Sequence, residues 1–123
     1  MLKHSPTFIV DVHTPDPFVA AWSTVQADAV AIAKSKGWYD DPWIIDRGIC
    51  LIHAEVSEIT EAMRDANPED KNCPGYSSAE VEAADVVIRI MDMANRMGWN
   101  LPEAILAKMN YNRTRPYKHG RQF

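Results

Sequence analysis

One segment restricts this chain more than any other. Residues 81–97 read as a helix whose apolar side chains run nearly all the way round: Val81, Val86, Val87, Ile88, Ile90, Met91, Met93, Ala94 and Met97. A helix apolar on every side is a buried helix. Yet Glu82, Asp85, Arg89 and Asp92 form one polar stripe along it, within about 80° of arc at ~100° per residue. Charge on a buried helix is costly unless it is paired, protonated or bound to a cation. The rest of the chain must cover this helix and answer that stripe.

The nearest answer lies upstream. Glu55-Val56-Ser57-Glu58 repeats the spacing of Glu82-Ala83-Ala84-Asp85. Side chains three apart on a helix point the same way, one turn above the other. Asp41-Pro42, an acid and then a proline, predicts the start of a helix that runs to about Arg64. Its main apolar stripe is Ile45, Ile49, Ile52, Val56, Ile59 and Met63. Glu55 and Glu58 fall outside that arc, beside Ile44, Leu51 and Ala62. This second, partly apolar face predicts packing on both sides of the helix.

Two further helices complete an all-α chain. Phe18 to Lys36 carries Val19, Trp22, Val25, Ala29, Ile32 and Ala33 on one face, with Gly37 as its stop. Asn100-Leu101-Pro102-Glu103 opens a fourth helix with another capping pattern, and Pro116 ends it. Ser77 and Glu80 predict a capping box at the head of the third helix, and Gly98 its end. The 65–78 connection is long for a helical protein, and such loops are often functional or mobile. The expected organisation is an extended arm over 1–17, an all-α domain over 18–116 and a basic tail over 117–123.

Composition excludes several classes. The net charge of −4 does not suggest non-specific nucleic-acid binding. No apolar run approaches the ~20 residues of a membrane span, and no leader-like segment opens the chain. A cytoplasmic protein is expected. Cys50 and Cys73 lack metal-site spacing and read as one core thiol and one loop thiol. His53 reads as a surface or packing histidine, Trp22 and Trp43 as core or interface, and the six methionines as bundle packing.

Four acids without paired histidine or cysteine favour a hard cation, Mg2+ or Mn2+. A di-iron bundle needs Glu-x-x-His pairs, which this chain lacks. Lys108, Arg113, Arg115 and Lys118 are cations suited to phosphate oxygens. Acids with a metal facing basic groups describe a phosphoryl-transfer site. Glu55 is the candidate to orient or deprotonate a water if one acid stays outside the metal shell. Arg89, one turn after Asp85, is either a salt-bridge partner or a substrate ligand.

Glu55-x-x-Glu58, Glu82-x-x-Asp85, Gly37-Trp38, Asp85-Val86-Val87-Ile88 and the segment Lys108 to Arg113 together resemble the MazG-like all-α nucleoside triphosphate pyrophosphohydrolases. The resemblance extends from about Trp22 to Arg115. It implies a four-helix MazG-like bundle completed by oligomerisation, as a homodimer or homotetramer. It implies Mg2+ held by Glu55, Glu58, Glu82 and Asp85, and cleavage of a (d)NTP between its α and β phosphates. It implies phosphate contacts from Lys108, Asn112 and Arg115, and a base contact from Trp38, as in the deoxycytidine triphosphatase branch. The family often has two adjacent glutamates at the first motif; here the earlier position is Ala54, which leaves the metal count open. The competing expectation is a non-catalytic helical oligomer that binds nucleotide or a protein partner.

Overall fold

The computed structural model describes residues 16–122. Four helices follow one another: α1 (Pro17–Ser35), α2 (Ile45–Arg64), α3 (Ser78–Met97) and α4 (Leu101–Thr114). A short 3-10 turn at Tyr117–Gly120 follows them. There is no strand among the described residues, only one isolated bridge between Glu69 and Ser77. None of the described helices is long and apolar enough to cross a membrane.

Local chemistry sets the helix ends. Asp16 caps α1 by accepting from the Phe18 amide at 2.8 Å, and Pro17 occupies the first turn. The expected arm therefore stops one residue earlier, and its remainder, with Phe8-Ile9-Val10, lies outside the described residues. The capping box at α3 is present. The Glu80 amide donates to Ser77 Oγ at 3.3 Å, and the Ser77 amide donates to the Glu80 carboxylate at 2.7 Å. The Ser77 amide and, at 2.8 Å, the Ser77 hydroxyl both donate to the Glu80 carboxylate and hold it below the usual range. Gly98 closes α3 at φ 67°, a left-handed conformation that glycine adopts without a Cβ penalty.

One helix start and one helix cap differ from expectation. Residues 41–44 remain outside α2, and Ile44 caps it with no side-chain bond, so Asp41-Pro42 is not the entry. Trp43 explains this. Its indole lies so close to Gly48 that a Cβ there would stand 2.7 Å from Cζ2. A helical turn begun at Pro42 would carry the indole off that contact. Asn100 likewise makes no side-chain cap at α4; its backbone carbonyl accepts from Ala104 at 3.1 Å instead.

The long loop between α2 and α3 is pinned by its own polar groups. Asp70 accepts from the amides of Asn72 and Cys73, both at 2.8 Å. Glu69 accepts from Gly75 at 2.9 Å, and Asn67 accepts from Ala79 at 2.9 Å. These bonds hold the polar segment in a defined turn and tie Asn67 to the first turn of α3.

α2 and α3 form the main contact and run antiparallel, with Gly48 and Leu51 against Arg89, Asp92 and Met93. α1 packs on α3, and α4 rests on α1. Among the described residues the buried apolar side chains are Val30, Ala62, Met91, Met93, Ala94 and Pro102. That is a small core, and within a single chain it leaves apolar surface of two helices uncovered. α3 is not covered all round: Val87 and Ile88 are exposed. Within this chain α2 packs mainly along one seam, centred on its lesser apolar face. It meets α3 through the face that holds Leu51, Glu55 and Ala62. Four of the six residues of its main stripe, Ile45, Ile49, Val56 and Met63, are exposed, while Ile52 and Ile59 are half-buried. One helix pair has a single contact seam, so whichever face lies outside that seam must find a partner elsewhere. Cys50 is on this outer side and is exposed, as is Cys73; the expected core thiol is therefore absent.

Candidate functional site

The antiparallel register of α2 and α3 brings the two acid pairs together. One carboxylate oxygen from each of Glu55, Glu82 and Asp85 lies within 4.8 Å of the others, and all three residues are half-buried. Glu58 is exposed and is left out of this triad, although its charge acts on Glu82. The acid outside the cluster is thus Glu58, where the sequence pointed to Glu55.

The cluster is short of positive charge. The Glu82 carboxyl titrates above its usual range, first through partial burial and then through Glu58, Asp85, Glu55 and Asp70. The Asp85 carboxyl is raised by partial burial and by Glu55, while Arg89 acts in the opposite sense. Arg89 Nε donates to Glu55 Oε1 at 2.6 Å, which makes this arginine a salt-bridge partner across the helix pair. Asp70, on the pinned loop, is a fifth acid close enough to be felt by both Glu82 and Asp85. It sits in irregular sequence, where no periodicity signals it.

The donor set suits a small hard cation: oxygen only, partly withdrawn from water, and with like charge not fully answered. Glu55, Glu82 and Asp85 are the residues that could hold it. Asp70 Oδ1 already accepts two amides, so its second oxygen is the one free to face the cluster.

Beside the triad opens a cavity of about 420 Å3, within the size range of sites for nucleoside-sized ligands. Glu55, Asp85 and Arg89 line one part of it. Trp38, Trp43 and Ile44, from the α1–α2 connection, line another. Lys36, Arg47 and Arg96 add positive charge to its wall. Trp38 is 68% exposed, so its ring is open to a ligand.

A polar network backs this wall. The Tyr39 hydroxyl donates to Asp92 Oδ1, Asn95 Nδ2 donates to the Tyr39 oxygen at 3.2 Å, and Arg96 Nε donates to Asp92 Oδ2 at 2.8 Å. Burial, then the bond to Asp92, pushes the Tyr39 phenol above its usual range.

Three expected site residues stand apart. Lys108 and Asn112 lie on α4, and Arg115 just beyond it; none of them lines the cavity. Lys108 lies 4.6 Å from the centre of the Tyr111 ring and Arg115 lies 5.7 Å from it. Sequence reasoning missed Lys36, Arg47 and Arg96, the cations that do line the cavity. Only Arg96 left a signal, its four-residue spacing from Asp92.

No family model, no curated protein and no solved structure matches this chain.

Proposed function

We propose that this chain is a Mg2+-dependent nucleoside triphosphate pyrophosphohydrolase of the MazG-like type. It converts a (d)NTP, dCTP-like or across a broader range, to the monophosphate and pyrophosphate. The observation that carries this reading is the convergence of Glu55, Glu82 and Asp85 at the edge of a cavity walled by tryptophan and cationic side chains.

In this reading Glu55, Glu82 and Asp85 hold the metal. When bound, the ion neutralises phosphate oxygens and the charge that develops as the anhydride breaks. The protein does the rest by placement. Trp38 offers its face to the base. Lys36 and Arg47 attract the polyphosphate. Glu58, outside the triad and adjacent to it, orients a water and takes its proton. The water oxygen bonds to the α phosphorus as the bond from that phosphorus to the α–β bridging oxygen breaks. Pyrophosphate leaves with the bridging oxygen.

The outward stripe on α2 supports a homo-oligomeric assembly, dimer or tetramer, in which a second copy covers Ile45, Ile49, Val56 and Met63. Lys108, Asn112 and Arg115 then serve a neighbour's cavity, since they do not reach their own. Such an assembly works in the cytoplasm, where nucleotides and Mg2+ are plentiful.

A second reading keeps the cavity without turnover. It is favoured by the Arg89–Glu55 ion pair, which partly answers the acid cluster with no metal. A nucleotide panel with Mg2+ separates the two. Pyrophosphate release from some triphosphates, abolished in Glu82→Ala, supports the enzyme. Orthophosphate release places attack at the terminal phosphate and refutes cleavage at the α phosphorus. Binding without turnover leaves the non-catalytic oligomer.

A further inference from the structure

We propose that Arg96 is a positioning residue. Its guanidinium fastens the turn before α2 onto α3 and thereby fixes Trp38 as a rigid wall on which a planar heteroaromatic ring of the ligand stacks.

The geometry is a closed circuit. Arg96 Nε donates to Asp92 Oδ2 at 2.8 Å, on its own helix. Its terminal nitrogen donates to the Trp38 carbonyl at 3.0 Å, across to the turn. Asp92 Oδ1 accepts from the Tyr39 hydroxyl, which returns the circuit to the residue after Trp38. The guanidinium lies 3.7 Å from the centre of the Tyr39 ring and 5.4 Å from that of Trp43. The Arg96 side chain is only 11% exposed. One nearly buried cation thus holds a carboxylate, a carbonyl and two rings.

Few side chains can do this. A guanidinium donates in a fixed plane and stacks its faces on aromatic rings at the same time. An ammonium is a point charge and satisfies one of these partners well, not all. The circuit leaves Trp38 itself free: its ring stacks on no other aromatic ring among the described residues. Only its backbone is held. A platform whose main chain is clamped while its ring faces a cavity is arranged to receive a flat ligand, because the ordering entropy of the wall is already lost before binding.

The clamp is independent of the nucleotide reading; that reading supplies only the identity of the ring as a nucleobase. The experiment therefore has two arms. In the first, hydrogen exchange compares wild type, Arg96→Met and Arg96→Lys over residues 36–44 and over α3. The expected result is at least roughly tenfold faster exchange in 36–44 for Arg96→Met, with α3 protection retained. Arg96→Lys should recover only a minor part. Tyr39→Phe, which removes one link and keeps the ring, gives a smaller change in the same direction and serves if Arg96→Met does not fold.

In the second arm, deoxynucleosides without phosphate or metal are titrated against tryptophan fluorescence, and pyrophosphate release is followed with the triphosphates. Arg96→Met should bind the nucleoside about tenfold more weakly and raise KM, with kcat within about twofold, the pattern of lost uniform binding. Unchanged exchange in 36–44 overturns the clamp. Faster exchange with unchanged nucleoside affinity and KM overturns its role in binding while the hydrolase reading stands. Arg96-dependent binding of a planar ring by a wild-type protein that hydrolyses no triphosphate sinks the hydrolase reading and leaves the inference intact. Neither binding nor hydrolysis in wild type overturns both.

Discussion

Arg89 Nε lies 2.6 Å from Glu55 Oε1. The guanidinium comes from the same helix as Glu82 and Asp85 and reaches across to the helix that carries Glu55. It is the one positive group ion-paired to the acid cluster among the described residues. It therefore helps the two helices meet before any other cation arrives. Replacing it exposes that dependence. Arg89→Met is expected to lower metal-free stability by about 1 kcal/mol, the scale of a partly exposed pair. It should also enlarge the rise in melting temperature on adding Mg2+, since the cluster then has no internal counter-charge. Thermal melts with and without the ion check both.

Glu82→Ala separates stability from activity. It removes a carboxylate that its neighbours disfavour, so the metal-free protein should melt no lower than wild type. Pyrophosphate release should fall by more than about 100-fold, beyond the cost of losing an outer partner of a metal site. The Mg2+-dependent rise in melting temperature should shrink with it. A full rise in the variant would place the ion elsewhere.

The acid cluster also sets a pH dependence. Glu82 and Asp85 hold their protons more tightly in the folded chain than ordinary carboxylates do. The folded state therefore binds more protons than the unfolded one between the two sets of pKa values. Stability from these groups is full below the unfolded values, roughly 4, and is lost as pH rises through the raised folded values. Metal-free denaturant unfolding across this window should show that decline for wild type and a weaker one for Glu82→Gln. Mg2+ competes with the same protons, so its stabilisation should grow over the same window.

Lys108 gives a test of assembly. It lies on α4 and does not line the cavity of its own chain. If it serves a neighbour, Lys108→Ala and Glu82→Ala are each inactive alone but complement each other when unfolded together and refolded. A random mixture of dimers should then recover about a quarter of wild-type activity, because half the dimers are hybrids with one intact site. No recovery would mean that Lys108 acts within its own chain or not at all.

Gly48→Ala probes the wall of the cavity. The added Cβ would meet Trp43 Cζ2 at 2.7 Å. Alanine favours a helix over glycine by ~1 kcal/mol, but the overlap forces the indole to move at a cost of roughly 1–3 kcal/mol. The net effect expected in urea unfolding is neutral to destabilising, with a shift in tryptophan emission in the folded state. A variant more stable than wild type with unchanged emission would show that Trp43 is not held against α2.

The chain's own residues determined its helices. Apolar spacing, the Ser77–Glu80 box and Gly98 are local signals, and each acts within a turn or two of where it stands in the sequence. The acid pairs were legible for the same reason: three-residue spacing on a helix leaves little freedom in direction. Local signals failed at Asp41-Pro42, where the contact between Trp43 and Gly48 keeps the chain out of the helix for three more residues. They also failed for Asp70 and Arg47, which carry no periodicity, and for Arg96, whose partners at Trp38 and Tyr39 are more than fifty positions away.

Only the tertiary structure decided which face of α2 meets α3. From sequence alone both apolar faces of α2 were expected to pack. In the fold, the poorer face turns inward and carries Glu55 to Asp85, while most of the richer one, Ile45, Ile49, Val56 and Met63, is left exposed. Periodicity reports that a helix has two faces; it does not report which neighbour each one finds. That choice depends on the register of α2 against α3 and on where the α1–α2 turn lies, and these are settled by contacts between residues far apart in the chain.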